Sequence, residues 1–251
     1  MLVLLIGFVY PENKYGHKEL IGNYIDLYHL YSYFKKITDN IMVMTDLVSP
    51  EDSTLLIDAV AQNLLPESLL TFARSLSWAG RLHPYTNKDD LEKLLSSQDK
   101  EIFVYFSGHS SKGKLILPDT VSGMETLSFR KQLESENVGS EIFMIFDCCD
   151  ADGTRLPFVL TGEHYVLSSP AHFTTRKTIC LCSTRKGEDS ASKIIGSVFT
   201  RCFLNQIENR RCQLSDLLEN INSECQCYPQ TATLYSSFPN LKKIWSWLYK
   251  R

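Results

Sequence analysis

EIFVYFSGHSSKGKLILPD (residues 101–119) and SEIFMIFDCCDADG (140–153) share one build. Each is a continuous apolar run that stops at a reactive side chain, His109 in the first and Cys148 and Cys149 in the second. Continuity, rather than strict alternation, marks strands covered on both faces. Comparable runs recur at 2–9, 41–45, 178–182 and 232–235. Helical patterns lie between them. Residues 19–36 set Leu20, Tyr24, Leu27, Tyr28 and Tyr31 on one stripe, and Leu91, Leu94 and Leu95 mark a helix opened by the acidic cap region NKDD. Further helices are expected over 126–134, 197–207 and 214–221. This alternation predicts a three-layer α/β/α sandwich around a mostly parallel six-stranded sheet. Residues 48–85 are helix-rich and longer than a usual crossover, so they read as a helical insertion within a single domain spanning 1–251.

The composition sets outer bounds. A chain of 251 residues that is 43% hydrophobic can bury a sizeable core. A net charge of −3 gives no basic field for nucleic acid. The opening MLVLLIGFVY is apolar but too short to span a bilayer, and it lacks a basic leader, so it reads as the first buried strand and no membrane partner is expected. The tail LKKIWSWLYKR, with Trp245, Trp247 and Tyr249 among Lys242, Lys243, Lys250 and Arg251, reads as a short helix closing the core rather than a membrane-surface helix. Eight cysteines in a chain this long are not a disulfide scaffold and fit a reducing, cytoplasmic or nuclear compartment. The pairs Cys180/Cys182 and Cys225/Cys227 lack zinc-knuckle spacing; period two places the first pair on one face of a strand.

Functional side chains in open α/β sheets gather beyond the carboxyl ends of strands. Adjacent strands would therefore deliver His109 and a cysteine to one crevice. A cysteine attacks as its thiolate, and a nearby imidazole takes its proton. Backbone N–H groups at a strand-end turn can hold a developing oxyanion.

Around these residues the sequence resembles the caspase-like cysteine peptidases, and among them the metacaspases. YFSGHS is similar to that family's histidine strand end and IFDCC to its nucleophile strand. Residues 4–34, with Gly22 and Asp26, are similar to its opening strand, loop and helix. LILPD, GEDSAS, GSVFTRCFL and YPQTATLYSS resemble later segments of it. The resemblance implies a caspase-like sandwich, and no prodomain is expected before it. It implies a Cys-His endopeptidase that cleaves protein or peptide substrates after Arg or Lys, with a link to cell death. His109 would be the imidazole, and the Asp-x-Cys pattern from Asp147 selects Cys149 as nucleophile over Cys148. Ser110 and Cys149 would supply oxyanion N–H groups, and Asp26, Ser107 and Asp147 would line the pocket for the basic side chain. A monomer is expected.

Three departures carry consequences. Ser110 replaces the family's glycine, and a left-handed turn there would strain it. Asp150 follows the nucleophile, where a carboxylate would raise the thiol pKa. No cofactor is expected: after the LPD turn only Asp119 and Glu125 stand where calcium-binding members carry a paired Asp-Asp, which argues against calcium activation. Two other functions compete. One is a catalytically impaired caspase-like regulator or interaction module. The other is a Mg²⁺-dependent phosphatase that would use Asp150 and Asp152 of DADGT.

Overall fold

The structure is a computed structural model that describes residues 1–11, 16–47, 54–137, 139–151, 154–209, 213–241 and 246–248. Asp152, Cys212, the start of the expected insertion (48–53) and Lys242, Lys243, Trp245, Tyr249, Lys250 and Arg251 of the tail lie outside the described residues.

The first half runs β1 (Leu2–Gly7), α1 (Ile21–Phe34), β2 (Ile41–Thr45), α2 (Thr54–Ala61), α3 (Ser68–Trp78), β3 (Leu82–Pro84), α4 (Lys88–Leu95), β4 (Glu101–Ser107), β5 (Ser110–Ser111), β6 (Lys114–Leu117), β7 (Thr120–Glu125) and α5 (Thr126–Glu136). The second runs β8 (Glu141–Asp147), β9 (Phe158–Thr161), β10 (His164–Leu167), β11 (Lys177–Cys182), β12 (Ser192–Lys193), β13 (Gly196–Ser197), α6 (Val198–Asn209), α7 (Leu214–Cys225) and β14 (Thr233–Ser236). One sheet dominates, in the order β10-β9-β14-β11-β8-β4-β1-β2-β3. The six strands expected from the sequence are its contiguous centre, from β14 to β2. Short β3 extends one edge, and the β9–β10 hairpin extends the other. Apart from Leu160, these additions are half-buried or exposed, so their sequences lack the apolar continuity that marks a covered strand.

The central pairings β2–β1–β4–β8–β11 are all parallel, while β14 runs antiparallel to β11. Alternate residues of each strand face opposite layers. Val3, Leu5, Phe103, Tyr105, Phe143 and Ile145 join one core, with α1, α3, α6 and α7. Leu2, Leu4, Ile6, Val104, Phe106, Met144, Phe146 and Cys148 join the other, the lower core, with α4 and α5. Helix α4 starts at a reciprocal cap: the Asn87 side chain accepts from the Asp89 and Asp90 N–H groups, and the Asp90 side chain accepts from the Asn87 N–H. A separate ribbon, β5-β6-β7, follows His109 directly. Among the described residues no helix is long and apolar enough to cross a membrane.

Candidate active site

Strands β4 and β8 are adjacent and parallel, and their register pairs Ser107 with Asp147. His109 and Cys149 each lie two residues beyond that pair. They leave the sheet at the same end, side by side in chain direction.

The loop after β4 is built around Tyr10, whose backbone is left-handed at φ 56°. Both oxygens of Asp46 accept from the chain here, from Val9 N–H and Tyr10 N–H at 2.7 Å each. The Tyr10 hydroxyl accepts the His109 N–H at 3.0 Å and donates to the Ile116 carbonyl at 2.7 Å. Gly108 makes this approach possible, because a β-carbon there would stand 2.8 Å from the Tyr10 oxygen. The imidazole packs on the Tyr10 ring, centroids 4.7 Å apart, with His17 5.4 Å away. Its Nε2 lies 2.7 Å from the Lys18 carbonyl. A carbonyl only accepts, so Nε2 carries the proton and Nδ1 of the neutral ring is left as the base. Burial lowers the His109 pKa below its ordinary 6.5; the Lys18 carbonyl opposes this, and the neighbouring His17 and Lys18 add smaller downward pushes.

The two cysteines differ sharply. Cys148 is buried in the lower core, and burial pushes its thiol far up. Cys149 is half-buried, and its sulfur accepts the Ser190 N–H at 3.3 Å. Burial raises its thiol above the ordinary 9.0, the charges of Asp189 and Asp147 add to that, and the Ser190 N–H opposes them. Asp150 is not among the causes. Its backbone is left-handed at φ 48°, and its carboxylate accepts the Gly187 N–H at 2.9 Å. The carboxylate expected beside the thiol is therefore Asp189, not Asp150. With Cys149 raised and His109 lowered, the resting pair is a neutral thiol and a neutral imidazole.

Ser110 is not among the residues with positive φ, so the strain expected for a non-glycine residue there does not arise. It pairs with Leu115 across β5–β6, and the ladder bond runs from Ile116 N to His109 O at 2.8 Å. In an antiparallel ladder that makes Ser110 a non-hydrogen-bonded position, so its N–H faces away from β6. Its hydroxyl donates to the Cys149 carbonyl.

Asp26, Ser107 and Asp147 are all buried. Asp147 accepts from Ser190 Oγ at 2.9 Å, Thr200 Oγ1 at 2.6 Å and Tyr105 Oη at 3.4 Å. Among the described residues, Asp26 receives one hydrogen bond, from the Ser197 N–H, 3.0 Å from each oxygen. Burial, then the charge of Asp147, raises its pKa well above the carboxylate range, against the Ser197 bond and the Arg201 charge. The solvated helix acid that a sequence permits at position 26 is thus an enclosed acid coupled to Asp147. Gly196 is fixed by this packing: its φ is +99°, and a β-carbon would lie 2.6 Å from Asp26 Oδ1.

Sequence reasoning did not single out Tyr10, Lys18, Asp189, Ser190 or Thr200. Tyr10, Lys18, Asp189 and Ser190 lie on loops, where no periodicity marks them, and Thr200 is one polar residue of α6 that nothing in its spacing sets apart. Asp119, weighed for calcium, accepts from the Tyr85 hydroxyl. Cys180 and Cys182 lie in the lower core with sulfurs 3.8 Å apart. A cleft of 870 Å³ between the β9–β10 turn and α7 includes neither His109 nor Cys149 in its walls.

Residues 2–243 match the family model of the caspase domain. Among solved structures, caspase-1 from Spodoptera frugiperda superposes with a TM-score of 0.57 at 11% identity, covering 94% of this chain and 86% of that one. Protein GSU0716 from Geobacter sulfurreducens superposes at 0.60 and 10% identity, covering 98% and 97%. No curated protein matches the sequence.

Proposed function

The chain belongs to the caspase-domain family of cysteine peptidases, and on that premise we propose that it is an endopeptidase of metacaspase type, cutting protein or peptide chains after Arg or Lys. The observation that carries this reading is the β4–β8 register, Ser107 beside Asp147. It sets a histidine and a half-buried thiol at neighbouring strand ends, directly beyond one enclosed acid and near a second.

In this reading Nδ1 of His109 takes the Cys149 proton as sulfur attacks the scissile carbonyl. The oxyanion is met by the Ser110 and Cys149 N–H groups. The imidazolium then protonates the leaving amine, and water hydrolyses the thioester with His109 again as base. Because the resting pair is neutral, His109 acts as a general base rather than as half of a preformed ion pair. Asp26 and Asp147 attract the guanidinium or ammonium of the residue before the scissile bond. The free cysteines and the −3 charge support a reducing, cytoplasmic setting without nucleic acid, and the chain is read as a monomer that needs no calcium. An arginyl fluoromethyl ketone tests the reading. It should label the wild type and leave Cys149→Ala unlabelled.

A second reading, a regulator with a weakened site, is favoured by the surroundings of Cys149: burial first, then the carboxylates of Asp189 and Asp147, disfavour its thiolate. Folded wild type that cleaves no basic peptide and takes no label would establish it.

A further inference from the structure

We infer that Ser190 is a positioning residue that ties the nucleophile to the pocket acid, its hydroxyl anchored on Asp147 so that its N–H is held on the Cys149 sulfur. The inference rests on the reading of Cys149 as nucleophile, and it concerns a residue that neither the family match nor the sequence motifs assign. Ser190 makes two bonds in two directions: Oγ to Asp147 Oδ1 at 2.9 Å and N–H to Cys149 Sγ at 3.3 Å. Its flanks are pinned as well. Ala191 N–H donates to Gln230 Oε1 at 2.7 Å, and Asp150 N–H donates to the Glu188 carbonyl at 3.0 Å. Ser183 Oγ reaches both Ser190 Oγ, at 3.4 Å, and the Cys148 carbonyl, at 3.3 Å. The loop after β11 is thus laced to the end of β8, and Ser190 is the one residue in it bonded to both Asp147 and Cys149.

The chemistry gives this bond a function. A sulfur anion accepts a hydrogen bond far better than a thiol, so an N–H held on Sγ favours the thiolate. Burial works against that charge, and so do Asp189 on the covering loop and Asp147 on its own strand. His109, at the neighbouring strand end, is held neutral. The Ser190 N–H is the group that opposes them, and a backbone donor is only as good as its aim. Its aim is set by the hydroxyl on Asp147. The same anchor links pocket and nucleophile, because a cation seated on Asp147 bears on the residue that aims the N–H.

The rate of Cys149 alkylation by iodoacetamide, followed on the Cys149 peptide by mass spectrometry across a pH series, reads the thiolate directly and needs no substrate. Ser190→Ala keeps the N–H and removes the anchor. Its alkylation midpoint should rise by about one pH unit, and Ser190→Thr, which keeps a hydroxyl, should restore the wild-type midpoint. If the alanine variant does not fold, Ser190→Val against Ser190→Thr gives the same comparison at constant shape. An unchanged midpoint in the variant lacking the hydroxyl overturns the inference, as does a threonine variant shifted like the alanine one. Failure of the peptidase reading would look different: no peptide cleaved, with the midpoint shift intact.

Discussion

The Tyr10 hydroxyl accepts the backbone N–H of His109 at 3.0 Å, and its ring lies against the imidazole, centroids 4.7 Å apart. One side chain from the end of the first strand therefore fixes both the main chain and the ring of the proposed base. Tyr10→Phe keeps the ring and removes the oxygen, which leaves the His109 N–H and the Ile116 carbonyl without their partner. Tyr10 is buried, so this should cost about 1–3 kcal/mol of stability. Peptidase turnover should fall while KM changes little, because the damage is to the base and not to the pocket. Denaturant unfolding and steady-state kinetics on a basic peptide check both parts.

The two cysteines should separate cleanly. Cys149→Ala should abolish peptidase activity. Cys148→Ala should keep most of it and lower stability by about 1 kcal/mol through the small cavity left in the lower core. Full activity in folded Cys149→Ala would show that the chemistry lies elsewhere.

Ser110 is expected to be a tolerated replacement rather than a defect. Its backbone is not left-handed, so Ser110→Gly has no strain to relieve, and it loses the hydroxyl bond to the Cys149 carbonyl. Activity of Ser110→Gly should be equal to or lower than wild type. A several-fold gain would reveal an oxyanion turn damaged by serine.

The pH profile follows from the two shifts. His109 is lowered from 6.5, so the base stays neutral and active down to below that pH, and activity should fall only as acid protonates it. Cys149 is raised from 9.0, so the free thiol should titrate above that value and no thiolate plateau should appear near neutrality. A kcat/KM profile with its acid limb above pH 7 would contradict the general-base assignment. Stability carries a separate signature. Burial lifts Asp46 from 3.8 to about 6. The folded chain then holds a proton that the unfolded chain releases, so stability falls by about 1–3 kcal/mol as pH rises through that interval. Asp46→Asn should remove that slope from a plot of Tm against pH.

The central sheet was legible because covered parallel strands must be apolar on both faces: the six runs of that kind are the six central strands. The edge strands were not, since half-buried residues such as those of the β9–β10 hairpin carry no comparable constraint. His109 and Cys149 stand out in the sequence because each lies just past the end of an apolar run, whereas Asp26, Ser107 and Asp147 are proposed for the pocket only through the resemblance to the metacaspases. The supporting groups could not. The Lys18 carbonyl and the Ser190 N–H are backbone atoms that any residue supplies, so residue identity says nothing of them. The acid beside the thiol was misread as Asp150 for a related reason. Proximity in sequence suggested it, but the left-handed turn at Asp150 carries its carboxylate to Gly187 and leaves the place to Asp189.

The pocket makes the most specific prediction. Asp147 is held by three hydroxyls, whereas among the described residues Asp26 receives one bifurcated N–H, and burial, then the charge of Asp147, raises the Asp26 pKa well above the carboxylate range. A basic side chain entering the proposed pocket would favour ionisation of Asp26. Arg should be preferred to Lys, because a planar guanidinium can donate to two carboxylates. Asp should be rejected, since its charge would be desolvated beside like charge. Asp26→Asn keeps an acceptor for the Ser197 N–H but cannot ionise. It should lower kcat/KM for an Arg peptide by about tenfold, reduce the preference over Leu and leave Cys149 alkylation unchanged. Gly196→Ala should act more severely, because its β-carbon would meet Asp26 Oδ1 at 2.6 Å in a backbone with φ +99°. A matched series of peptides differing only in Arg, Lys, Leu or Asp before the scissile bond, assayed with both variants, decides the matter. Retention of the full Arg preference by Asp26→Asn would remove Asp26 from the pocket and leave Asp147 as its acid.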